Sequence, residues 1–222
     1  MNTQKNPTTT LANVLRIATS VIASGLAGCG GGHSTAHGGG ADDDPGYSIW
    51  IMSDQRSQQV VYEKIREIAA TSNGAAGPFQ PHVTLLGQVR GSEAEVLEKT
   101  RSLAQGMTPF GMHFLGFGTT DERFKQLFIQ IERDRNMTTA KALAEKTFGK
   151  TEPGEYMPHL SLAYGNLDPD AKSRIISAEK GLLDCWYDAA ALAVARTPDD
   201  LKDWKLVGVF PLAKSRETAP AP

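Results

Sequence analysis

The sequence has few cysteines, no excess of charge of either sign and no apolar run long enough to cross a bilayer. Each shortage removes a class of protein. Its 222 residues hold 23 basic and 25 acidic side chains, a formal net charge of −2. That balance provides no broad field to attract a polyphosphate, so any affinity for nucleic acid is confined to a pocket, and no long nucleic acid is expected as a partner. The most apolar leader segment, from Ile17 to Gly28, is too short to span a membrane. Hydrophobic residues make up 40% of the chain, enough for a full core in one large domain or two small lobes.

The two cysteines keep different company. Cys185 stands beside Trp186 and Tyr187 in an apolar run and reads as a buried thiol. Cys29 closes Leu26-Ala27-Gly28-Cys29, after a leader containing Lys5, Arg16 and the short apolar segment. That order suits a secretory signal, and its end resembles a bacterial lipobox in which Cys29 is lipidated. On this reading the protein is exported and membrane-anchored, no structural disulfide forms, and residues 30–46, G-G-G-H-S-T-A-H-G-G-G-A-D-D-D-P-G, are a flexible tether. His33 and His37 belong to that solvated tether. The alternative is a disordered leader or a misplaced start on a cytoplasmic protein. Residues 1–46 are thus a leader, 47–213 the folded domain and 214–222 a disordered tail.

The folded part reads as one pattern used twice. Tyr47 to Met52 is a strand, and Ser57 to Ser72 a helix with Val61, Ile65 and Ile68 inward. Pro81 to Val89 is a strand. Ser92 with Glu95 opens a helix to about Gln105, and a strand covers Phe110 to Phe117. Then Phe124 to Glu132 is a strand, Thr138 to Phe148 a helix, and Pro158 to Tyr164 a strand. Asp168-Pro169 caps a further helix, followed by closing strands from Cys185 to Ala195 and Trp204 to Leu212. Each half has too little apolar surface to stand alone, so two halves packed face to face are expected.

Both third elements carry the same motif, P-H-V-T at Pro81 to Thr84 and P-H-L-S at Pro158 to Ser161. Residues two apart on a strand share a face, so His82 joins Thr84 and His159 joins Ser161, with Val83 and Leu160 turned away. One such motif is most simply a core histidine beside a filler hydroxyl. Two at equivalent places of a repeat call for a common cleft. Neither histidine has Cys, Asp or Glu at ligand spacing and hydroxyls are poor zinc ligands, so neither a metal nor a cofactor is expected. His113, isolated on its strand, reads as structural. Two imidazoles and two hydroxyls are suited to opening a cyclic phosphodiester. A neutral imidazole takes a proton from water, a protonated one supplies the leaving oxygen, and the hydroxyls bond the nonbridging oxygens.

At these residues the sequence resembles the 2H phosphoesterase superfamily, in particular its cyclic phosphodiesterases acting on ADP-ribose 1″,2″-cyclic phosphate and nucleoside 2′,3′-cyclic phosphates. Y-S-I-W at Tyr47, Y-M-P-H-L-S-L-A-Y-G-N-L at Tyr156 and D-L-K-D-W-K-L-V-G-V-F-P-L at Asp200 carry the resemblance, which runs from Tyr47 to Leu212 with motifs 77 residues apart. It implies an α+β, two-lobed fold of pseudo-twofold-related antiparallel sheets flanked by helices around a central cleft. It further implies that His82 and His159 are general acid and base, that Thr84 and Ser161 hold the phosphate, and that a small cyclic-phosphate nucleotide is opened to its 2′-phosphate by a monomer. The family pattern sets Tyr164 against the substrate, although strict alternation turns it away from His159. Trp50 has two readings, stacking on the base or core packing. Two rival functions stay open: processing of cyclic phosphate ends of RNA, and a noncatalytic phosphate-binding module.

Overall fold

The computed structural model describes residues 46–184 and 187–213. Cys29, residues 30–45, Cys185, Trp186 and residues 214–222 lie outside the described residues. All described residues belong to one compact unit, Gly39–Pro222.

In chain order the elements are β1 Tyr47–Ser53, α1 Gln55–Thr71, β2 Val83–Val89, α2 Glu93–Gln105, β3 Phe110–Met112, β4 Phe114–Thr119, β5 Leu127–Ile131, α3 Arg135–Phe148, β6 His159–Ala163, α4 Pro169–Ala178, β7 Tyr187–Arg196 and β8 Lys205–Pro211. Short 3₁₀ turns cover Lys180–Asp184 and Leu201–Asp203. Each α-helix starts at a side-chain cap. Asp54 accepts from the Arg56 and Ser57 amides, Ser92 from Glu95, Asp134 from Met137 and Asp168 from Ala171. Such a cap stabilises a helix by about 1 kcal/mol. The unread caps Asp54 and Asp134 explain why α1 and α3 begin two and three residues earlier than periodicity suggests. α3 ends at Gly149, whose φ of 62° is the left-handed conformation that glycine adopts without penalty.

The strands form one antiparallel sheet in the order β3-β7-β1-β2-β6-β5-β4, with β8 on β7. The segment expected as one strand from Phe110 to Phe117 is two strands broken at His113, β3 on β7 and β4 on β5. These stand at opposite ends of the order, about 29 Å apart if six spacings of about 4.8 Å lay flat. One intervening residue spans at most about 7 Å. The sheet therefore curls until its ends nearly meet.

The halves join edge to edge within this sheet, where packing face to face was expected. β2 lies antiparallel to β6 with Val83 opposite Leu160. Each of these residues directly follows its histidine, so a local twofold axis passes between the two motifs. The relation extends outward: α1 packs on β6 and α3 on β2, while β4 pairs with β5 and β7 with β1. Each half thus covers and completes the other, the structural answer to halves with too little core of their own. One face of the sheet holds the main core, including Ile49, Ile51, Val83, Leu85, Leu160 and Leu162 under the helices. The other carries both histidines.

Candidate active site

Each histidine is held by the same local device. His82 Nδ1 lies 2.7 Å from the Gln80 carbonyl and His159 Nδ1 lies 3.1 Å from the Met157 carbonyl, in both cases across an intervening proline. The proline has no N–H of its own and holds the preceding residue extended. A carbonyl can only accept, so each Nδ1 carries the proton and each Nε2 is left with a free lone pair.

Both imidazoles line one cavity of about 190 Å³ together with Thr84, Ser161, Tyr164 and Trp50. All six residues singled out in the folded sequence are therefore in one place. Cross-strand pairing adds an aromatic ring to each motif: Trp50 stands opposite Thr84, and Phe128 opposite Ser161. The two rings act differently. Trp50 stacks flat on His82, with centroids 3.7 Å apart and an interplanar angle of 13°. Phe128 meets His159 edge-on at 5.3 Å.

Electrostatics follow burial. His82 is 5% exposed, and desolvation pushes its pKa down to about 4, opposed by the Gln80 bond and reinforced by the charge of His159. His159 is half-buried. Desolvation lowers its pKa too, against the Met157 bond, with Lys125 lowering it and Glu122 raising it. Tyr164 is buried, which drives its phenol above the usual range against a hydrogen bond with Ser161. It is thus a neutral donor beside one of the two hydroxyls.

Two sequence expectations change in detail. Trp50 is 3% exposed with one face covered by His82, so of its two readings packing is the one seen here, and it orders an imidazole. Tyr164 escapes the alternation that would turn it away, because β6 ends at Ala163. The chain then bends at Gly165, φ 113°, where a Cβ would collide with the Gly74 carbonyl. Tyr164 enters the cavity stacked on Phe79 at 3.8 Å. His113 lies exposed between β3 and β4, outside the cavity.

Sequence reasoning missed Trp204, Phe124 and Gln88, which also line the cavity. The Trp204 ring is fixed by its Nε1 donating to the Pro198 carbonyl at 2.7 Å, and it stands 5.7 Å from Tyr164 and 5.4 Å from Phe124. A tryptophan just before a closing strand has no period to betray it. Among the described residues no group of three or more His, Cys, Asp or Glu could hold a metal ion.

Comparison with known proteins agrees with this geometry. Residues 54–200 match the family model of the 2′-5′ RNA ligase superfamily. A cyclic phosphodiesterase of Arabidopsis thaliana is 24% identical over 171 residues, spanning 73% of this chain and 93% of the relative. Among solved structures, a Thermus thermophilus protein is 17% identical with a TM-score of 0.51, over 76% of this chain and 98% of that one, which shows the shared fold. Escherichia coli LigT complexed with 3′-AMP is similar at 10% identity and a TM-score of 0.46, over 75% and 97% of the two chains. With the family match spanning both His-x-hydroxyl strands and well over half of the sequence, the chain belongs to the 2′-5′ RNA ligase superfamily, the 2H phosphoesterases.

Proposed function

We propose that this protein hydrolyses small cyclic phosphodiesters, nucleoside 2′,3′-cyclic phosphates to 2′-phosphates and/or ADP-ribose 1″,2″-cyclic phosphate, with His82 and His159 as general base and acid and no metal taking part. The observation that carries the reading is the repeated device: two imidazoles, each with Nδ1 committed to a carbonyl, share one cavity with two hydroxyls. The Arabidopsis thaliana relative, named a cyclic phosphodiesterase, supports it.

Water attacks phosphorus as one imidazole takes its proton at Nε2. The bond from phosphorus to the departing sugar oxygen breaks, and the second imidazole, protonated at Nε2, delivers its proton to that oxygen. Thr84 and Ser161 donate to the nonbridging oxygens, where charge grows. Burial keeps both rings neutral in the free protein, so the acid has to be charged when substrate binds. The anionic phosphate favours the imidazolium beside it and raises its pKa.

The test is turnover of adenosine 2′,3′-cyclic phosphate by the purified protein in EDTA, with His82→Ala and His159→Ala alongside. Chelator-resistant hydrolysis to the 2′-phosphate, lost in both variants, is expected. Turnover that survives both substitutions, or that EDTA abolishes, would remove the two-histidine reading.

A further inference from the structure

Among the described residues Gln88 is the one non-glycine with a positive φ, 50°. It sits where the pairing of β1 with β2 slips. Tyr47 faces Val89 and Ile49 faces Leu86, so Gly87 and Gln88 together oppose Ser48. Glycine adopts a positive φ at no steric cost, whereas glutamine does so under strain. The glycine of this pair, Gly87, does not take that conformation, and the glutamine does.

A bulge beside a site commonly re-aims a side chain. Gln88 lines the cavity that holds His82 and His159 and is solvent-exposed within it, and none of the described residues takes its amide in a hydrogen bond. Ser48, opposite the bulge, shares a 2.8 Å hydrogen bond with Thr197, and both line the cavity with Asp199. These residues form a polar pole with one carboxylate, chemically distinct from the phosphate site and from the aromatic wall of Tyr164, Phe124 and Trp204.

We infer that Gln88 is a specificity-determining residue whose amide pairs with the base edge of the nucleotide bound between the two histidines. The inference rests on the function proposed above. An amide offers a donor and an acceptor side by side, the complement of an exocyclic amino group next to a ring nitrogen. Asp199 can only accept, which favours that amino group and disfavours a carbonyl in its place. Adenine and cytosine offer that edge; uracil offers a ring N–H beside a carbonyl, which the amide also matches by turning over, so the acceptor Asp199 is what sets uracil apart, for a base that Gln88 holds at this pole.

The experiment compares adenosine, cytidine and uridine 2′,3′-cyclic phosphates in the wild type, Gln88→Gly and Gln88→Asn. The wild type should favour the adenosine and cytidine esters over the uridine ester by about fivefold or more in kcat/KM, the scale of one side-chain–base pair. Gln88→Gly relieves the backbone, so its Tm should equal or exceed that of the wild type while the preference collapses through KM. Gln88→Asn tolerates the left-handed backbone but is one methylene too short, and should lose the preference too. A wild type indifferent to the base, or variants in which all three esters change alike, would overturn the inference and leave Gln88 a shaping residue. Titration with adenosine and uridine 2′-monophosphates separates this failure from failure of the proposed function. Base-selective binding that Gln88→Gly abolishes supports the role of Gln88 even without turnover, while turnover without selectivity keeps the function and sinks the inference.

Discussion

His82 lies almost wholly out of water beneath the flat face of Trp50, whereas His159 is half-buried against the edge of Phe128 and within reach of the charges of Lys125 and Glu122. The backbones that carry them are equivalent: the same Pro-His order, the same bond to the carbonyl two residues back, the same antiparallel pair with Val83 facing Leu160. The asymmetry comes from side chains one strand away, an indole in one half and a phenyl in the other. A repeated framework supplies two chemically equal groups. Its unrepeated neighbours then make them unequal, as a reaction in which one group takes a proton and the other gives one requires.

The strongest way to break that comparison is to remove each imidazole. His82→Ala and His159→Ala should each lower kcat/KM by about 10²- to 10⁴-fold, the range for a proton-transfer partner. Because the two work in one transition state, the double variant should be little worse than the worse single one. Rates in EDTA on one cyclic substrate check this. Two losses that multiply would mean that the halves act independently.

The halves also differ in how they are braced. Buried Lys141 on α3 donates to the Leu85 carbonyl at 2.7 Å and to Glu152 at 2.6 Å, while Glu152 accepts from the Gly87 amide at 2.7 Å. Tyr156 donates to the Thr84 carbonyl at 3.1 Å. The run into the second motif is thereby tied to the strand of the first. Lys172 on α4 instead donates to the Thr120 carbonyl at 2.7 Å and pairs with a fully exposed Asp121. Both lysines are buried, but Glu152 is mostly covered and Asp121 is not; breaking a buried pair costs about 3–5 kcal/mol and a pair with an exposed partner about 1 kcal/mol or less. In chemical denaturation Lys141→Met should therefore destabilise clearly more than Lys172→Met, and Lys141→Met/Glu152→Leu should recover much of the loss.

Much of this was legible in the sequence. Alternation and caps such as Ser92 and Asp168 are local, and a motif used twice survives any error in element boundaries, so His82, Thr84, His159 and Ser161 could be grouped before the fold was known. What escaped was set by long-range geometry. The break at His113 has no local signature. It follows from β3 and β4 pairing with strands 7 and 5 at opposite ends of the sheet. Tyr164 reaches the cavity only because β6 stops one residue before it, and Trp204 and Gln88 are brought there by a closing strand and a bulge.

Titration probes the two environments directly. The folded pKa of His82 is lowered from 6.5 to about 4, so between these values the unfolded chain binds a proton that the folded one refuses. The stabilisation is present above about pH 6.5 and lost as pH falls toward 4, amounting to about 3 kcal/mol at 1.36 kcal/mol per unit. A His82→Phe variant should show a flatter stability profile across that window. His159, lowered in the same direction but less buried, should leave a smaller change when replaced. Equal effects from the two substitutions would erase the asymmetry on which the comparison rests.

The smallest expected difference lies between the two hydroxyls. Thr84 and Ser161 face the same cavity, and each loss removes one hydrogen bond to a charged oxygen, about 2 kcal/mol or roughly thirtyfold in kcat. Yet the buried phenol of Tyr164, a neutral donor, stands beside Ser161, whereas the ring set against Thr84 is that of Trp50. In Ser161→Ala the phenol is freed to turn to the phosphate and replace part of what was lost. Thr84→Ala should therefore fall the full thirtyfold and Ser161→Ala less, with Ser161→Ala/Tyr164→Phe bringing the second motif down to the level of the first. If Ser161→Ala is already as damaging as Thr84→Ala, then Tyr164 gives the phosphate nothing, and the difference between the motifs resides in the histidines and their aromatic partners alone.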